Sequence, residues 1–417
     1  MVSQLAPWGA GESRGEDLTL WLTTVGAAET IESWWGHSAL VVEDKRLGRH
    51  RLYSYGIATF SPDFVRQFVE GRMEFWVDDT ELVLETYEQY RGLNRDVRMQ
   101  ELNLTPDQRL VLAKSLADNV LPQNRKFLYR HYDDNCTTRP RDLIDKALGG
   151  QLLKAAAAPA RMSLRKHTRR YSRVNPIMSL VLDCLQNDEL DRPITQREEA
   201  FLPDELERQL GALQVKRDDG SLQPAVVRQA NYFVSQTQPK APEEAPDWNA
   251  QLFLVGCGLG GVGLCLGHWN RKGRRLPRLV WGLFNALFGL LWGSLGAFAG
   301  LLVFSSNTVT QHNENLFLFN PLTLALLPLG LMRGFGSRTA ATGLRWTWSV
   351  LLALGLLEVL LKCLPRFDQA NWNLILLVLP VAGAMAVTTW LEHRARGTGS
   401  APPTGGGSAP PTRSYPR

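Results

Sequence analysis

One cysteine and one histidine in the N-terminal half have the types and settings that nucleophilic chemistry requires. Residues 1–250 contain two cysteines, Cys136 and Cys184. Cys136 follows a turn-forming Asp-Asp-Asn stretch and opens a predicted helix over 136–148. A thiol in the first helical turn is drawn toward the thiolate by the helix dipole, and the unbonded N–H groups there can hold an oxyanion. The sequence predicts Cys136 as a nucleophile; a buried thiol or a disulfide with Cys184 is the alternative.

A cysteine nucleophile needs a base, and His37 is the best placed histidine. It stands in Gly-His-Ser-Ala-Leu-Val-Val, at the mouth of a predicted apolar strand. His50 lies in a charged turn, His167 in a basic run, and His131 only five residues before Cys136. We therefore predict His37 as the base, against the alternative of a structural histidine at a strand end.

Further site members are predicted from their nearness to these two residues. Ser54 or Tyr55, on the next predicted strand, could orient the far nitrogen of His37. Tyr129 or Asn135 could donate to an oxyanion, although each is also typical of a structural residue. Arg139 and Asp142, at i and i+3, are predicted to pair on a helix surface, with an anionic headgroup as the alternative partner of Arg139.

The elements that must position these residues are a mixture of strands and helices. Period-two and helical patterns, the Thr105 N-cap and the Thr195 capping box indicate an α+β domain. The predicted strands are 18–25, 38–43, 51–55, 72–77 and 97–104, and the predicted helices are 62–70, 81–93, 106–120, 136–148 and much of 160–210.

Composition separates this domain from a second, apolar half. The chain has 417 residues, a net charge of +5, 44% hydrophobic and 21% charged residues. Nearly all the charge precedes residue 250, and residues 252–391 are mostly apolar. This split excludes a single soluble domain, a disordered chain, a collagen and a disulfide framework. The weak positive charge does not indicate nucleic acid.

The apolar half predicts membrane helices, because several of its runs approach the ~20 residues that cross a bilayer. Gly256 and Gly260 in the first run form a G-x-x-x-G pair typical of close helix contacts, although a plain glycine-rich helix is equally expected. The five runs are 252–267, 279–304, 315–332, 344–361 and 373–391.

Loop charges predict the orientation of these helices. Ten Lys and Arg residues follow the first, third and fifth runs, whereas the other two loops carry only Lys362 and Arg366. Excess positive charge marks the cytoplasmic side. The domain 1–214 is therefore predicted outside the cytoplasmic membrane. Its N-terminus lacks a signal-peptide pattern, so we expect a signal upstream or one already removed.

The remaining segments carry no predicted chemistry. Residues 215–250 are expected to be a linker, 251–392 a five-helix bundle and 393–417, with its repeated SAPPT, a disordered cytoplasmic tail. Neither a cofactor-binding nor a metal-binding motif is found. The basic run 161–173 is expected to be a solvated helix face, with anionic lipid or cell-wall polymer as the alternative partner.

Five motifs in order give the chain a family resemblance. Together they resemble the N-terminal periplasmic domain of the Lnb-type lipoprotein N-acyltransferase family, over about residues 5–210. The motifs are Gly36-His37-Ser38-Ala39-Leu40, Tyr53-Ser54-Tyr55-Gly56, Phe68-x-x-Gly71-Arg72, Asp134-Asn135-Cys136-x-Thr138-Arg139-x-Arg141-Asp142 and Phe201-Leu202-Pro203-Asp204.

The resemblance implies an α+β permuted papain-like (NlpC/P60-like) fold in which His37 is the base and Cys136 the nucleophile. It implies acyl transfer, through a Cys136 thioester, from the diacylglyceryl group of a bacterial lipoprotein to its own N-terminal amine. The implied partners are a lipid-anchored lipoprotein and membrane lipid, at the inner membrane. The missing signal peptide and the basic stretch 161–173 depart from the family pattern.

Two other functions remain open at this stage. A membrane-tethered cysteine peptidase or amidase would use the same dyad with water as acceptor and cell-wall peptide as substrate. A non-catalytic envelope module would use the thiol only structurally. For either enzyme we expect a rate that falls in acid within about pH 5–8, as His37 or Cys136 takes up a proton.

Overall fold

The structure, a computed structural model, describes residues 5–58 and 62–397 and divides the chain into two compact units. The first unit contains the residues up to Asp247 together with Phe298–Asn315 and Lys362–Asn371. The second unit contains Trp248–Ala297, Leu316–Leu361 and the residues from Trp372 onward. The boundary lies close to the predicted start of the apolar half, but two segments of that half belong to the N-terminal unit.

An antiparallel sheet of seven strands organises the first unit. Its strands are β1 (Leu18–Val25), β2 (His37–Asp44), β3 (Arg49–Ile57), β4 (Glu74–Thr80), β5 (Val97–Leu102), β6 (Lys126–Leu128) and, after a separate hairpin of β7 (Gln214–Lys216) and β8 (Leu222–Pro224), β9 (Val226–Phe233). The order across the sheet is β6-β4-β3-β2-β1-β5-β9. All five predicted strands are present, with ends that differ by a few residues.

Strand alternation gives the sheet two apolar faces. Leu40 of β2 and Tyr53 of β3 enter the main core, whereas Val41 and Leu52 enter a smaller cluster on the other face. Because successive side chains point to opposite faces, neighbouring residues of one strand have different surroundings. This alternation decides below which side chains can reach His37.

Ten helices of the described first unit surround the sheet. Helix α4 begins with the predicted Thr105 N-cap, whose hydroxyl accepts from the Gln108 N–H in a capping box. The helices are α1 (Pro7–Ala10), α2 (Phe64–Glu70), α3 (Val83–Gly92), α4 (Pro106–Asn119), α5 (Thr138–Ala147), α6 (Gln151–Ala155), α7 (Leu164–Ser172), α8 (Pro176–Leu185), α9 (Gln196–Glu199) and α10 (Pro203–Ala212).

The linker predicted over 215–250 is wrong for much of its length. Strand β9 pairs with β5 along the edge of the sheet, and Arg228 stacks on the Trp21 ring at 4.8 Å while pairing with Glu101. The sequence predicted a linker because an edge strand has one side exposed to solvent. Such a strand can have the polar composition that is typical of a linker. The first unit therefore extends past the predicted domain end at residue 214.

The described part of the second unit is helical. Four helices are long and apolar enough to cross a membrane, or five crossings result if one bent pair counts as a span. The helices are α11 (Asn249–Asn270), α12 (Arg275–Leu302), α13 (Leu326–Gly334), α14 (Arg338–Leu361) and α15 (Trp372–Gly397). The predicted tail therefore begins too early, since residues 393–397 belong to α15; its remainder, 398–417, lies outside the described residues.

The run 315–332 is not one straight helix, as the prediction assumed. Short 3-10 segments precede α13, and the pair Thr308–Phe317 and Pro321–Gly334 is bent by 55°. Pro321 lacks the N–H that would continue a helix, and Asn320 caps a new start by accepting from the Leu322 N–H. The remaining four runs lie in α11, α12, α14 and α15.

The G-x-x-x-G pair in α11 faces α15 closely. A methyl group on Gly256 would collide with the Leu377 carbonyl, and one on Gly260 would lie 3.0 Å from the Pro380 carbonyl oxygen. Small residues allow two helix backbones to approach in this way. The close-contact interpretation of the pair is therefore confirmed.

Candidate functional site

His37 is the first residue of β2 and stands opposite Val25 of β1. The preceding Gly36 has φ +78°, and a methyl group there would lie 2.7 Å from the Val25 carbonyl oxygen. A positive φ and a close backbone approach both require glycine. The chain thus enters the strand through a glycine turn that places the imidazole at the end of the sheet, as predicted.

Ser54 holds the far nitrogen of His37. The Nε2 atom lies 2.9 Å from Ser54 Oγ on the adjacent strand β3. Tyr55, the alternative partner, points to the opposite face, where its hydroxyl accepts from Asn119 Nδ2 at 2.8 Å. Strand alternation therefore decides between the two candidates in favour of Ser54.

Cys136 lies just outside α5 and not in its first turn. Thr137 is the N-cap of the helix, so Cys136 precedes the cap by one residue. This corrects the expectation that the helix dipole makes it a thiolate. Instead, burial raises the pKa of the Cys136 thiol above its ordinary value, and hydrogen bonds from the Ser38 N–H and Thr137 oppose that rise only in part. The resting sulfur is a thiol at neutral pH.

Asn135 is a turn residue, which corrects its predicted role as an oxyanion donor. Its Oδ1 accepts from the N–H groups of Thr137 and Thr138 at 2.7 and 2.9 Å. Its Nδ2 donates to the carbonyls of His131 and Phe201 at 2.6 and 3.0 Å. Both amide hydrogens are engaged, so Asn135 shapes the turn that presents Cys136 and has none left for a substrate.

Tyr129 does reach the sulfur. Its buried hydroxyl hydrogen-bonds Cys136, and burial together with that sulfur raises the pKa of Tyr129 well above its ordinary value. The ring is held by stacking on Phe75 at 4.2 Å between centroids. The Tyr129 hydroxyl and the Ser38 N–H both act on the sulfur, and both are donors of a kind suited to a developing negative charge.

Gly56 is the point at which His37 and Cys136 come together. It lies at a β-bulge where the pairing of β3 with β4 shifts register. A methyl group on Gly56 would lie 3.3 Å from His37 Cε1, 3.7 Å from His37 Nδ1 and 3.5 Å from Cys136 Cβ. The imidazole edge and the cysteine therefore both border one small gap, which glycine leaves open.

The imidazole is neutral in this setting. Burial and the nearby positive charge of Arg95 lower the pKa of His37 to about 3. A neutral imidazole can accept a proton, whereas an imidazolium cannot. The site therefore rests as a neutral thiol beside a neutral base.

Arg95 belongs to this site and was missed by the sequence. It precedes β5, its exposed fraction is 8%, and its Nε donates to the Gly26 carbonyl at 2.9 Å. Among the described residues its buried Nη2 has no hydrogen-bond partner. Its charge acts on both Cys136 and His37. No local sequence pattern marks this arginine as a site residue. It comes close to His37 and Cys136 only because β1 pairs with both β2 and β5.

The other candidate residues have structural roles. His131 packs edge-on against Trp35 at 4.4 Å between centroids, and burial lowers its pKa to about 4. His50 is exposed on β3. No disulfide joins Cys136 to Cys184 in the described structure. The predicted pairing of Arg139 with Asp142 is wrong: Arg139 binds Asp134 at 2.6 Å, and Arg141 binds Asp142.

The basic run 161–173 is only partly exposed: Lys166 and Arg173 are exposed, whereas several of its arginines form ion pairs inside the domain. Arg165 is 1% exposed and its Nε donates to Asp191 at 2.7 Å. Arg161 binds Glu205. Burial raises the pKa of Glu205, but hydrogen bonds from arginines lower it by more, so its pKa lies below the ordinary value. Four arginines of the run therefore join an ion-pair network, which sequence periodicity could not reveal because the acidic partners come from residues 183–205; the arginines are Arg161, Arg165, Arg169 and Arg170.

Two groups of side chains in the described residues have metal-like spacing. His167, Glu199 and Glu205 converge, but Arg170 Nη1 lies 2.8 Å from His167 Nδ1, and Arg208 binds both glutamates. These arginines neutralise the carboxylates that a cation would need. The second group, Asp188, Glu314 and Asp368, includes a glutamate that Lys362 already binds.

A comparison with known protein families identifies the N-terminal region of the chain. Residues 4–170 match the family described as the Lnb N-terminal periplasmic domain, which confirms the resemblance seen in the motifs. No curated protein and no solved structure matches the chain. With four or five candidate spans after this domain, the chain is a multi-pass membrane protein with a periplasmic domain.

Proposed function

Since residues 4–170 of this chain are an Lnb-family N-terminal periplasmic domain, we propose that the protein is a membrane-bound thiol acyltransferase. It moves an acyl chain from the diacylglyceryl group of a bacterial lipoprotein to the lipoprotein's N-terminal amine through a Cys136 thioester. The product is a lyso-form lipoprotein. The observation that carries the proposal is that the His37 ring and Cys136 border the same small gap at Gly56, with the Ser38 N–H and the Tyr129 hydroxyl close to the cysteine.

His37 is the proposed base, acting through Nδ1. Because Nε2 is engaged with Ser54, Nδ1 is the nitrogen left on the Gly56 side, where Cys136 also lies. In a Cys–His pair the imidazole takes the thiol proton as the sulfur attacks, so a thiolate need not exist beforehand. This order of events fits a site in which thiol and imidazole are both neutral at rest.

In the first half-reaction His37 Nδ1 accepts the Cys136 proton while the sulfur attacks the ester carbonyl of the diacylglyceryl group. The carbonyl oxygen becomes an oxyanion, for which the Ser38 N–H and Tyr129 hydroxyl are the nearest donors, with Arg95 supplying positive charge. Collapse of this intermediate breaks the ester C–O bond. The leaving alkoxide takes the proton from His37, so a lyso glyceryl group and a thioester remain.

In the second half-reaction the N-terminal amine of the lipoprotein attacks the thioester carbonyl. His37 accepts the proton that the amine loses, and collapse breaks the C–S bond. The Cys136 sulfur leaves as a thiolate and recovers its proton from His37. An amide has formed, and the enzyme returns to its starting state with no other reactant consumed.

We further propose five membrane crossings, with the catalytic domain on the periplasmic side of the inner membrane. Candidate spans α12 and α14 both lead directly into segments of the first unit, Phe298–Asn315 and Lys362–Asn371. Two spans that run toward the same side require a return crossing between them, for which the bent pair ending at Gly334 is the available segment. The basic loops at 271–278 and 333–345 then face the cytoplasm.

The permuted papain-like fold is part of the same proposal. In that arrangement a cysteine at a helix start meets a histidine carried by an antiparallel sheet, and here α5 follows Cys136 while β2 begins with His37. A cysteine peptidase or amidase acting on cell-wall peptides would use the same groups. The candidate spans that follow the domain in the chain favour the acyltransferase. The ester of a lipoprotein stays at the membrane surface, so an enzyme that acts on it benefits from a membrane anchor.

The test uses the full chain in phospholipid vesicles with a lipopeptide whose diacylglyceryl acyl chains are radiolabelled. Wild type and the Cys363→Ala variant, which removes an exposed thiol, are expected to carry a hydroxylamine-labile label and to form N-acylated lyso-lipopeptide. Cys136→Ala is expected to do neither. Undiminished transfer by Cys136→Ala would refute the proposal, and cleavage of muropeptides without lipid labelling would replace it with the amidase.

A further inference from the structure

Helix α8 (Pro176–Leu185) has its polarity reversed relative to a helix of a water-soluble domain. Ser179 and Asp183, at i and i+4, are buried, whereas Ile177 is 78% exposed. A helix on the surface of a soluble domain turns its apolar stripe inward and its polar residues outward. In α8 the buried side is formed by Ser179 and Asp183 together with Cys184 and Leu185 at the C-terminal end, while the other apolar residues are exposed or partly exposed.

The inward face is held by specific polar contacts. Ser172 Oγ donates to Ser179 Oγ at 2.8 Å, and Arg169 Nε donates to both Asp183 oxygens at 3.1 and 2.9 Å. A buried carboxylate held by an arginine fixes the rotation of the helix about its axis. Rotating the helix to turn Asp183 outward would break its ion pair with Arg169. The reversed polarity is therefore set by the fold.

The outward face is apolar and continues along the chain. Val174, just before α8, is 40% exposed, and Ile177 projects one turn later. Isolated exposed apolar residues are ordinary on protein surfaces, but a helix that buries its polar side and exposes its apolar side requires an apolar neighbour. The partly exposed residues that extend this face are Met178, Leu180, Val181 and Leu182.

The C-terminal end of α8 is tied to a membrane-helix loop. Asn313 Nδ2 donates to the Cys184 carbonyl at 2.7 Å, and Asn315 Nδ2 donates to the Asp183 carbonyl at 2.8 Å. Both asparagines lie in the segment Phe298–Asn315, which begins with the last residues of the candidate span α12 and ends in the first half of the bent pair. A helix fixed to residues so soon after the end of a span is held at the depth where that span leaves the bilayer.

We propose that the outward face of α8 lies in the acyl-chain region at the periplasmic surface of the bilayer, with phospholipid chains as its occupant. Burying apolar side chains such as Ile177 in the acyl-chain region is favourable, because it removes their surface from water. Exposed Arg173 precedes this face and is suited to the headgroup layer, as basic side chains at an interface are. The proposal does not depend on the acyltransfer reaction.

The test places an environment-sensitive fluorescent amino acid at Ile177 of the full chain in phosphatidylethanolamine–phosphatidylglycerol vesicles. The matched control carries the same residue at Leu222, which is 68% exposed on the polar β7–β8 hairpin. At position 177 we expect a blue-shifted emission that is strongly quenched by lipids brominated on their acyl chains and little affected by aqueous iodide. At position 222 we expect the reverse.

Two results would overturn the proposal. Iodide quenching at 177 equal to that at 222 would show that the face is in water. Protection from iodide without quenching by brominated lipid would show that a protein surface covers it. Because acyl transfer is not measured, the failure of the proposed function leaves this result unaffected.

Discussion

The Nε2 atom of His37 lies 2.9 Å from Ser54 Oγ, across the pair of strands β2 and β3. Since Ser54 and His37 project from the same face of the sheet, this contact fixes the rotation of the ring without any carboxylate. A serine orients the imidazole but adds no negative charge to it, so it leaves the pKa of His37 low. Base strength at this site is set by burial and by Arg95.

Ser54→Ala removes the group that orients His37. We expect the rate of acyl transfer to fall by up to about a hundredfold, because a misplaced base loses its alignment with the thiol. Thermal stability should change little. The control Ser115→Ala removes an exposed hydroxyl on α4 and should leave the rate unchanged; equal rates for Ser54→Ala and wild type would show that the contact is not used.

The pH profile should be flat where the sequence predicted a decline. Because the pKa of His37 is about 3, the imidazole stays unprotonated throughout about pH 5–8 and becomes protonated only as the pH approaches 3. A flat rate over that range therefore supports the site, which corrects the sequence-based expectation. Rates of acyl transfer from about pH 4 to 9 provide the check, and a half-maximal rate near pH 6.5 would indicate an ordinary, solvated histidine.

Arg95→Gln removes a positive charge that lowers the pKa values of both Cys136 and His37. Both should rise in the variant, so the acid limb of the rate profile moves to higher pH and the thiolate forms less readily. We expect a loss of roughly tenfold in rate at neutral pH. Alkylation of Cys136 against pH, followed by mass spectrometry of its peptide, measures the thiol directly.

The controls for this variant separate charge from packing. Arg95→Lys keeps the charge and should preserve most of the rate and the alkylation profile. Arg228→Gln alters an exposed arginine on β9 and should alter neither. If Arg95→Lys were as defective as Arg95→Gln, the guanidinium shape and not its charge would be the requirement.

Tyr129→Phe removes a hydroxyl that hydrogen-bonds the Cys136 sulfur. A hydrogen bond to a charged group contributes about 1.5–3 kcal/mol, so we expect a loss of about tenfold or more in rate. Thioester formation and its breakdown by the amine should both slow, because each forms an oxyanion. Tyr232→Phe on β9 is the matched control, and single-turnover labelling of the two variants is the measurement.

Gly56→Ala tests the gap that His37 and Cys136 share. The new methyl group would stand 3.3 Å from His37 Cε1, so the ring must shift by a few tenths of an ångström. We expect activity to fall about tenfold while the melting temperature stays close to that of wild type. Gly92→Ala, where an added methyl group meets nothing within 4 Å, should retain full activity; an equal rate for Gly56→Ala would mean that the ring is not held in place.

The part of the site that could be predicted from the sequence is the part with local signals. His37 after Gly36 and Cys136 in a turn before a helix both carry such signals, and Ser54 followed from strand pairing. Arg95 could not be predicted, because its position depends on pairing among three strands distant in sequence. The protonation state of Cys136 was also predicted wrongly. Cys136 lies one residue outside the helix cap, where the helix dipole lowers the thiol pKa by less than burial raises it.

The same distinction applies to the fold. Strands β1, β2 and β3 have strong period-two patterns and were predicted closely, whereas β9 resembles a linker because an edge strand is half solvated. The prediction of a straight helix over 315–332 was wrong because the chain bends before Pro321. Counting apolar residues in a run does not take account of a single proline. Long-range pairing and single backbone breaks are the features that local patterns do not report.

Two late segments of the chain complete the N-terminal unit. Asn187 donates to the carbonyls of Thr308 and Gln311, and Gln369 donates to the carbonyl of Gln186. A ribosome delivers Gln369 only after most of the apolar helices have been made, so the thiol domain cannot finish folding when it first emerges. Expression of residues 1–247 alone would yield an incomplete domain, so folding of the N-terminal unit is expected to follow insertion of the apolar helices.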